Sequence, residues 1–118
     1  MQEYPSRKQL QTELSVYIKP STTKGVALFI IDMSMYLMAI ALVLAAGAWW
    51  LKLLGAIVAG IKMANLATLA HDAAHNSLTR SRRLNKYIGI LGFTPALFNY
   101  ALWLHDHHFL HHRRTNEE

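Results

Sequence analysis

Cysteine is absent from the 118 residues, and charge is scarce, with Asp, Glu, Lys and Arg together making 16% of the chain. Without a thiol there can be no disulfide scaffold, Cys-based zinc site, iron–sulfur cluster or thiol nucleophile. Because 53% of the residues are hydrophobic and gathered in long runs, a water-soluble two-layer fold would lack polar residues for its outside, and that class is excluded. The length allows one small domain. There is no internal repeat, and the only biased segment is the histidine-rich end. The basic excess, 12 Lys and Arg against 7 Asp and Glu, flanks apolar stretches and is not interleaved with base-stacking aromatics. Anionic lipid headgroups, and not nucleic acid, are therefore the expected partner.

What the chain does have is length without charge. Residues 33–51 form a run of 19 without a formal charge, which at about 1.5 Å per residue covers about 28 Å, the depth of a hydrocarbon layer. Ala46-Gly47-Ala48 resembles a signal-peptidase site, but the run is long and starts after more than thirty residues, so a membrane span is expected. A second apolar stretch, residues 53–70, contains only Lys62 and Asn65 as interruptions. Trp49-Trp50-Leu51-Lys52 between the two reads as the interfacial tip of a helical hairpin spanning about residues 33–70, since indole rings favour the headgroup level. The polar leader, residues 1–25, carries Leu10, Leu14, Tyr17 and Ile18 at helical spacing with Arg7, Lys8 and Glu13 outside that stripe. A short surface-lying amphipathic helix and a partly ordered tail both fit it. The segment 87–104 contains Gly89, Gly92, Pro95 and Asn99 and is expected to be an interfacial or re-entrant helix, not a third span. The expected fold class is an all-α membrane protein: a transmembrane hairpin, this helix, and a histidine-rich cytoplasmic helix.

All seven histidines fall in two clusters near the end: His71 and His75, then His105, His107, His108, His111 and His112. Histidines four apart project from one helix face, the spacing that lets two imidazoles grip one metal. His71-Asp72-Ala73-Ala74-His75 also resembles the zincin motif, with Asp for its Glu, but no third ligand follows as in that family, and the second cluster tells against an intramembrane protease. In that cluster His108, His111 and His112 fall within an arc of about 100° on a helical wheel, with His105 and His107 at its borders. His105 and His107 are accordingly assigned to the surroundings of the site, and the expected ligands are His71, His75, His108, His111 and His112. Imidazoles alone do not name the metal, but five of them exceed what a structural zinc takes, so a dinuclear centre is expected. Asp32, counted from a tip near Leu51, should lie at the depth of His71 and could orient a ligand imidazole or simply end in interfacial water. Lys62 would be deep in the bilayer, pairing with a further hairpin not among the 118 residues or snorkelling.

His71 to His75 followed by His108-Phe109-Leu110-His111-His112, with Thr115-Asn116 after the second box and Asn76, Arg80 and Asn85 after the first, resembles the membrane-bound fatty acid desaturase family over residues 65–116. The resemblance implies a non-haem di-iron centre on the cytoplasmic face. Its substrates would be dioxygen and a membrane lipid or acyl chain, and its electrons would come from an external donor. Hydroxylases and carotenoid ketolases share the two boxes. A third histidine box and second hairpin expected of the family are not among the 118 residues. The chain is thus expected to be the N-terminal part of such an enzyme, inactive by itself, or else a non-catalytic membrane metal-binding subunit. Arg80, Arg82, Arg83 and Lys86 would face headgroups or dock an acidic electron carrier.

Ten of the twelve basic residues lie outside the hairpin, against Lys52 at its tip and Lys62 within it, so both hairpin ends are expected in the cytoplasm. Single cysteines in this cysteine-free chain test that. In intact cells an impermeant maleimide should reach Ala48→Cys or Leu51→Cys and spare Thr22→Cys and Arg82→Cys, and the opposite pattern would invert the orientation.

Overall fold

The computed structural model describes residues 5–15 and 19–107. Among these described residues, five α-helices follow one another: α1 (Arg7–Leu14), α2 (Thr22–Ala45), α3 (Trp49–Ala74), α4 (Arg82–Phe93) and α5 (Tyr100–Asp106), with a 3-10 turn, Thr94–Ala96, between the last two. No strand occurs among the described residues, as the all-α expectation requires. In α1, Leu10 and Leu14 are exposed, while Tyr17 and Ile18 of the same stripe lie outside the described residues.

Helices α2 and α3 are each long and apolar enough to cross a membrane. Their large apolar side chains point outward: Leu28, Ile31, Leu37, Met38, Leu44, Leu54, Ile57 and Ile61 are all half exposed or more. A helix that is apolar all round yet unburied by its own chain is adapted to lipid, not water. The side chains between α2 and α3 are small. A Cβ on Gly55 would stand 3.0 Å from the Ala39 carbonyl oxygen, so the two backbones approach closely there, as dispersion-driven packing in lipid favours.

α2 starts at Thr22, where the Ser21 hydroxyl accepts from the Lys24 N–H, an N-cap that places the helix start well upstream of the charge-free run. It ends at Ala45, and α3 begins at Trp49, so the hairpin turns at Gly47 and not near Leu51. The two tryptophans occupy the first turn of α3. That shift in the pivot corrects the expected depth of Asp32. Asp32 and Lys62 are equidistant from residue 47 and meet in an ion pair, Nζ to Oδ1 2.8 Å, with side chains 17% and 14% exposed for Lys62 and Asp32. His71 lies nine residues further along α3, about 13 Å away.

α4 leaves the end of α3 and packs back along it. A Cβ on Gly92 would stand 2.9 Å from the Leu66 carbonyl oxygen. Leu66, Ala70, Ala73, Ile88 and Phe93 form the buried seam. The expected helix 87–104 is in fact two: α4 with its 3-10 turn, and α5, bent by 100°. Pro95 sits in the 3-10 turn, and Leu97 adopts a left-handed conformation, φ 59°. The Leu97 N–H donates to the Thr94 carbonyl and the Phe98 N–H to the Phe93 carbonyl, a Schellman closure that stops the helix.

The ion pair is the only one between Lys and a carboxylate among the described residues. Removing one partner, by Asp32→Leu or Lys62→Met, should destabilise the hairpin by about 3–5 kcal/mol, whereas the double replacement should be neutral or stabilising. Unfolding in detergent micelles, followed by circular dichroism, checks this. A double variant as unstable as the worse single one would show that the two side chains are not each other's partner.

Candidate metal centre

The site is built at the C-terminal end of α3. His71 and His75, one turn apart, have ring centroids 4.6 Å from each other. The helix is stopped immediately after His75. Asn76 takes a left-handed conformation, φ 57°, its N–H donates to the Ala73 carbonyl, and the Ser77 N–H donates to the Asp72 carbonyl. This is again a Schellman motif, here with Asn in place of the commoner Gly. His75 is thereby held at the last turn, where the chain is free to leave sideways.

Beyond it the connection to α4 is pinned by polar groups. Asn85 is buried; its Oδ1 accepts from the Thr79 N–H and its Nδ2 donates to the Thr79 carbonyl. Ser81 caps α4 by accepting from the Leu84 N–H. The Arg80 N–H donates to the Thr22 hydroxyl oxygen at 3.2 Å, and its Nε donates to the Pro20 carbonyl at 3.0 Å. The start of α2 is thus tied to the loop that follows the first histidine pair, and Asn76, Arg80 and Asn85 each have a structural task.

α4 and the bend then return the chain to this same end. Asn99 caps α5, its Oδ1 accepting from the Ala101 and Leu102 N–H groups. At the end of α5, His107 comes to 5.0 Å from His71 and 5.3 Å from His75, centroid to centroid. One ligand atom from each of His71, His75 and His107 lies within 4.8 Å of the others, and all three residues are half-buried. Three imidazole nitrogens gathered this closely could hold a transition metal, for which imidazole is a suitable ligand. Asp72 Oδ1 lies 3.3 Å from His71 Nδ1. A carboxylate there favours the tautomer protonated at Nδ1, leaving Nε2 as the lone pair.

Of the expected ligands, the structure brings His71 and His75 together, while His108, His111 and His112 lie outside the described residues. His107, assigned from spacing to the border of the site, instead stands against the first pair. His105 is exposed beside Asp106, about 200° around the helix from His107. The wheel drawn from His108 places residues around one helix only, whereas the direction of α5 relative to α3 is set by the 100° bend. The available signal was Trp103, four residues before His107, since an aromatic at that spacing packs on the same face. An apolar cleft lined by Met63, Ala64 and Ala67 of α3 and residues 95–98 of the bend begins one turn below His71.

A model of the family described as fatty acid desaturase matches residues 47–118, which take in α3 and all seven histidines. Among curated relatives, an sn-1 oleoyl-lipid 12-desaturase of Picosynechococcus sp. is 33% identical over 75 residues, 62% of this chain and 21% of the relative. An sn-1 acyl-lipid omega-3 desaturase (ferredoxin) of Synechocystis sp. is 29% identical over 97 residues, 82% of this chain and 27% of the relative. A dihydrorhizobitoxine desaturase of Bradyrhizobium elkanii is 38% identical over 66 residues, 54% of this chain and 18% of the relative. The chain therefore spans about a fifth to a quarter of the length of these relatives. No solved structure matches it.

Proposed function

The chain belongs to the fatty acid desaturase family, and from that membership we propose that it forms part of a multi-pass membrane oxidoreductase that introduces a double bond into a lipid acyl chain. The single observation that carries the metal-dependent part of this reading is the convergence of His71, His75 and His107, from two segments, on one point. We place iron there, in a non-haem di-iron centre completed by His108, His111 and His112. Bound iron would supply activation of dioxygen, which neither imidazole nor any other side chain can provide. The overall reaction takes two hydrogens from adjacent methylenes and two electrons with two protons from an external donor, and reduces one dioxygen to two waters.

The residues of this chain do the holding and the aiming. His71 and His75 would supply neutral nitrogen ligands from a helix end that is closed by Asn76 and followed by a loop tied through Arg80 to the start of α2. The cleft between α3 and the bend offers an apolar substrate a lipid-exposed approach to a point one turn from His71. Arg82, Arg83 and Lys86, exposed on α4, put positive charge at the end of the hairpin that carries the histidines. Positive charge at this end favours the cytoplasmic face and would attract both anionic headgroups and an acidic electron carrier.

Iron analysis of the protein purified in detergent, with Mössbauer spectra of the enriched sample, tests the assignment. Iron should copurify and fall below a tenth of the wild-type content, an order-of-magnitude expectation of about tenfold or more, when His71, His75 and His107 are together changed to Ala. Iron content unchanged in that triple variant, or zinc as the sole metal, would overturn it.

A further inference from the structure

Trp103 is the residue at which the three elements of the site meet. Its indole stacks on the His107 ring, with centroids 4.4 Å apart and planes 14° from parallel. It meets His71 edge-on at 5.5 Å and 76°, and it is backed by Phe93 of α4 at 4.6 Å. One side chain of α5 therefore touches an imidazole of α3, an imidazole of its own helix and the buried ring that ends α4. Phe93 is 2% exposed, so the indole rests on a fixed wall.

We propose that Trp103 is a positioning residue of the metal centre: it sets the ring plane of His107 and transmits the packing of α4 to the imidazoles. The proposal rests on the metal-binding reading above. Indole has no free lone pair, only an N–H donor, so it cannot itself be a ligand and must act through His107. Two physical effects follow from the stack. A ring lying flat on another loses its freedom to rotate about the bond to Cβ, so His107 keeps its nitrogen directed at His71 and His75 without metal. When a metal withdraws electron density from the imidazole, the ring becomes more cation-like and its attraction to the electron-rich indole face rises. The stack therefore favours the metal-bound state over the empty one.

Cobalt(II) alone is the probe, since its visible bands report ligand geometry without turnover. In the purified 118-residue protein, Trp103→Leu should weaken cobalt binding about tenfold, the lower end of what loss of a residue supporting a ligand costs, and should alter the visible bands. Trp103→Phe, which keeps a flat ring, should recover most of the affinity and the wild-type bands. A second measurement leaves the residue in place. In a Trp49→Phe/Trp50→Phe background the sole indole is Trp103, and its emission should be quenched in step with the growth of the cobalt bands. Wild-type affinity and bands in Trp103→Leu, or Trp103 emission unmoved at saturating cobalt, would overturn the proposal while leaving the metal centre standing. A wild-type protein that takes up no cobalt would overturn the metal centre and this role together.

Discussion

A charge inside a hydrocarbon layer has no water to turn to, and the register of the hairpin follows from that. Asp32 and Lys62 are the acidic and basic residues in the middle of α2 and α3, and they meet at 2.8 Å. An uncompensated partner would be costly at that depth, so sliding one helix by a turn relative to the other is disfavoured as well as poorly packed. The close approach at Gly55 and Ala39 lets the backbones come near enough for the pair to form. With the pivot thus set at Gly47, the end of α3 falls beside the start of α2, where Arg80 can reach Thr22 and Pro20.

Everything at the site hangs on that end. The histidine pair needs a helix to set its spacing and a sharp stop to let the chain leave without covering it. Asn76 supplies the stop through its left-handed backbone. α4 then needs a close track along α3, which Gly92 and the small residues Ala70 and Ala73 give it. The bend at Leu97 sends α5 back. An exposed leucine held at positive φ is a local cost of about 1–2 kcal/mol, and its benefit is that His107 reaches His71 and His75. The same bend leaves the apolar cleft open beside α3.

Much of this was legible in the residues. The two apolar spans, the break around Pro95 and the pairing of His71 with His75 follow from hydropathy, proline chemistry and helical spacing. The pivot was misplaced because a charge-free run marks apolar character and not helix ends; Ser21 and the turn at Gly47 mark those. Asp32 and Lys62 were read as unrelated anomalies for the same reason, since a shift of four residues in the tip moves a cross-helix partner by eight. The approach of His107 to His71 was not legible, because a wheel describes one helix and that approach depends on the angle between two. No local pattern encodes that angle, although the indole of Trp103 one turn before His107 marks the face that turns inward.

Assembly of the site requires that α4 and α5 begin and end at the same end of the hairpin and do not cross the membrane between them. Spin labels at Ser77→Cys, just after the first histidine pair, and Asp106→Cys, at the end of α5, report this directly, because both positions are exposed and the chain has no other cysteine. In nanodiscs, pulsed electron resonance should give a separation well short of the hydrocarbon thickness of about 30 Å. A distribution centred at about 30 Å or beyond, the value for a third span, would contradict the return of the chain and the assembly of the site that depends on it.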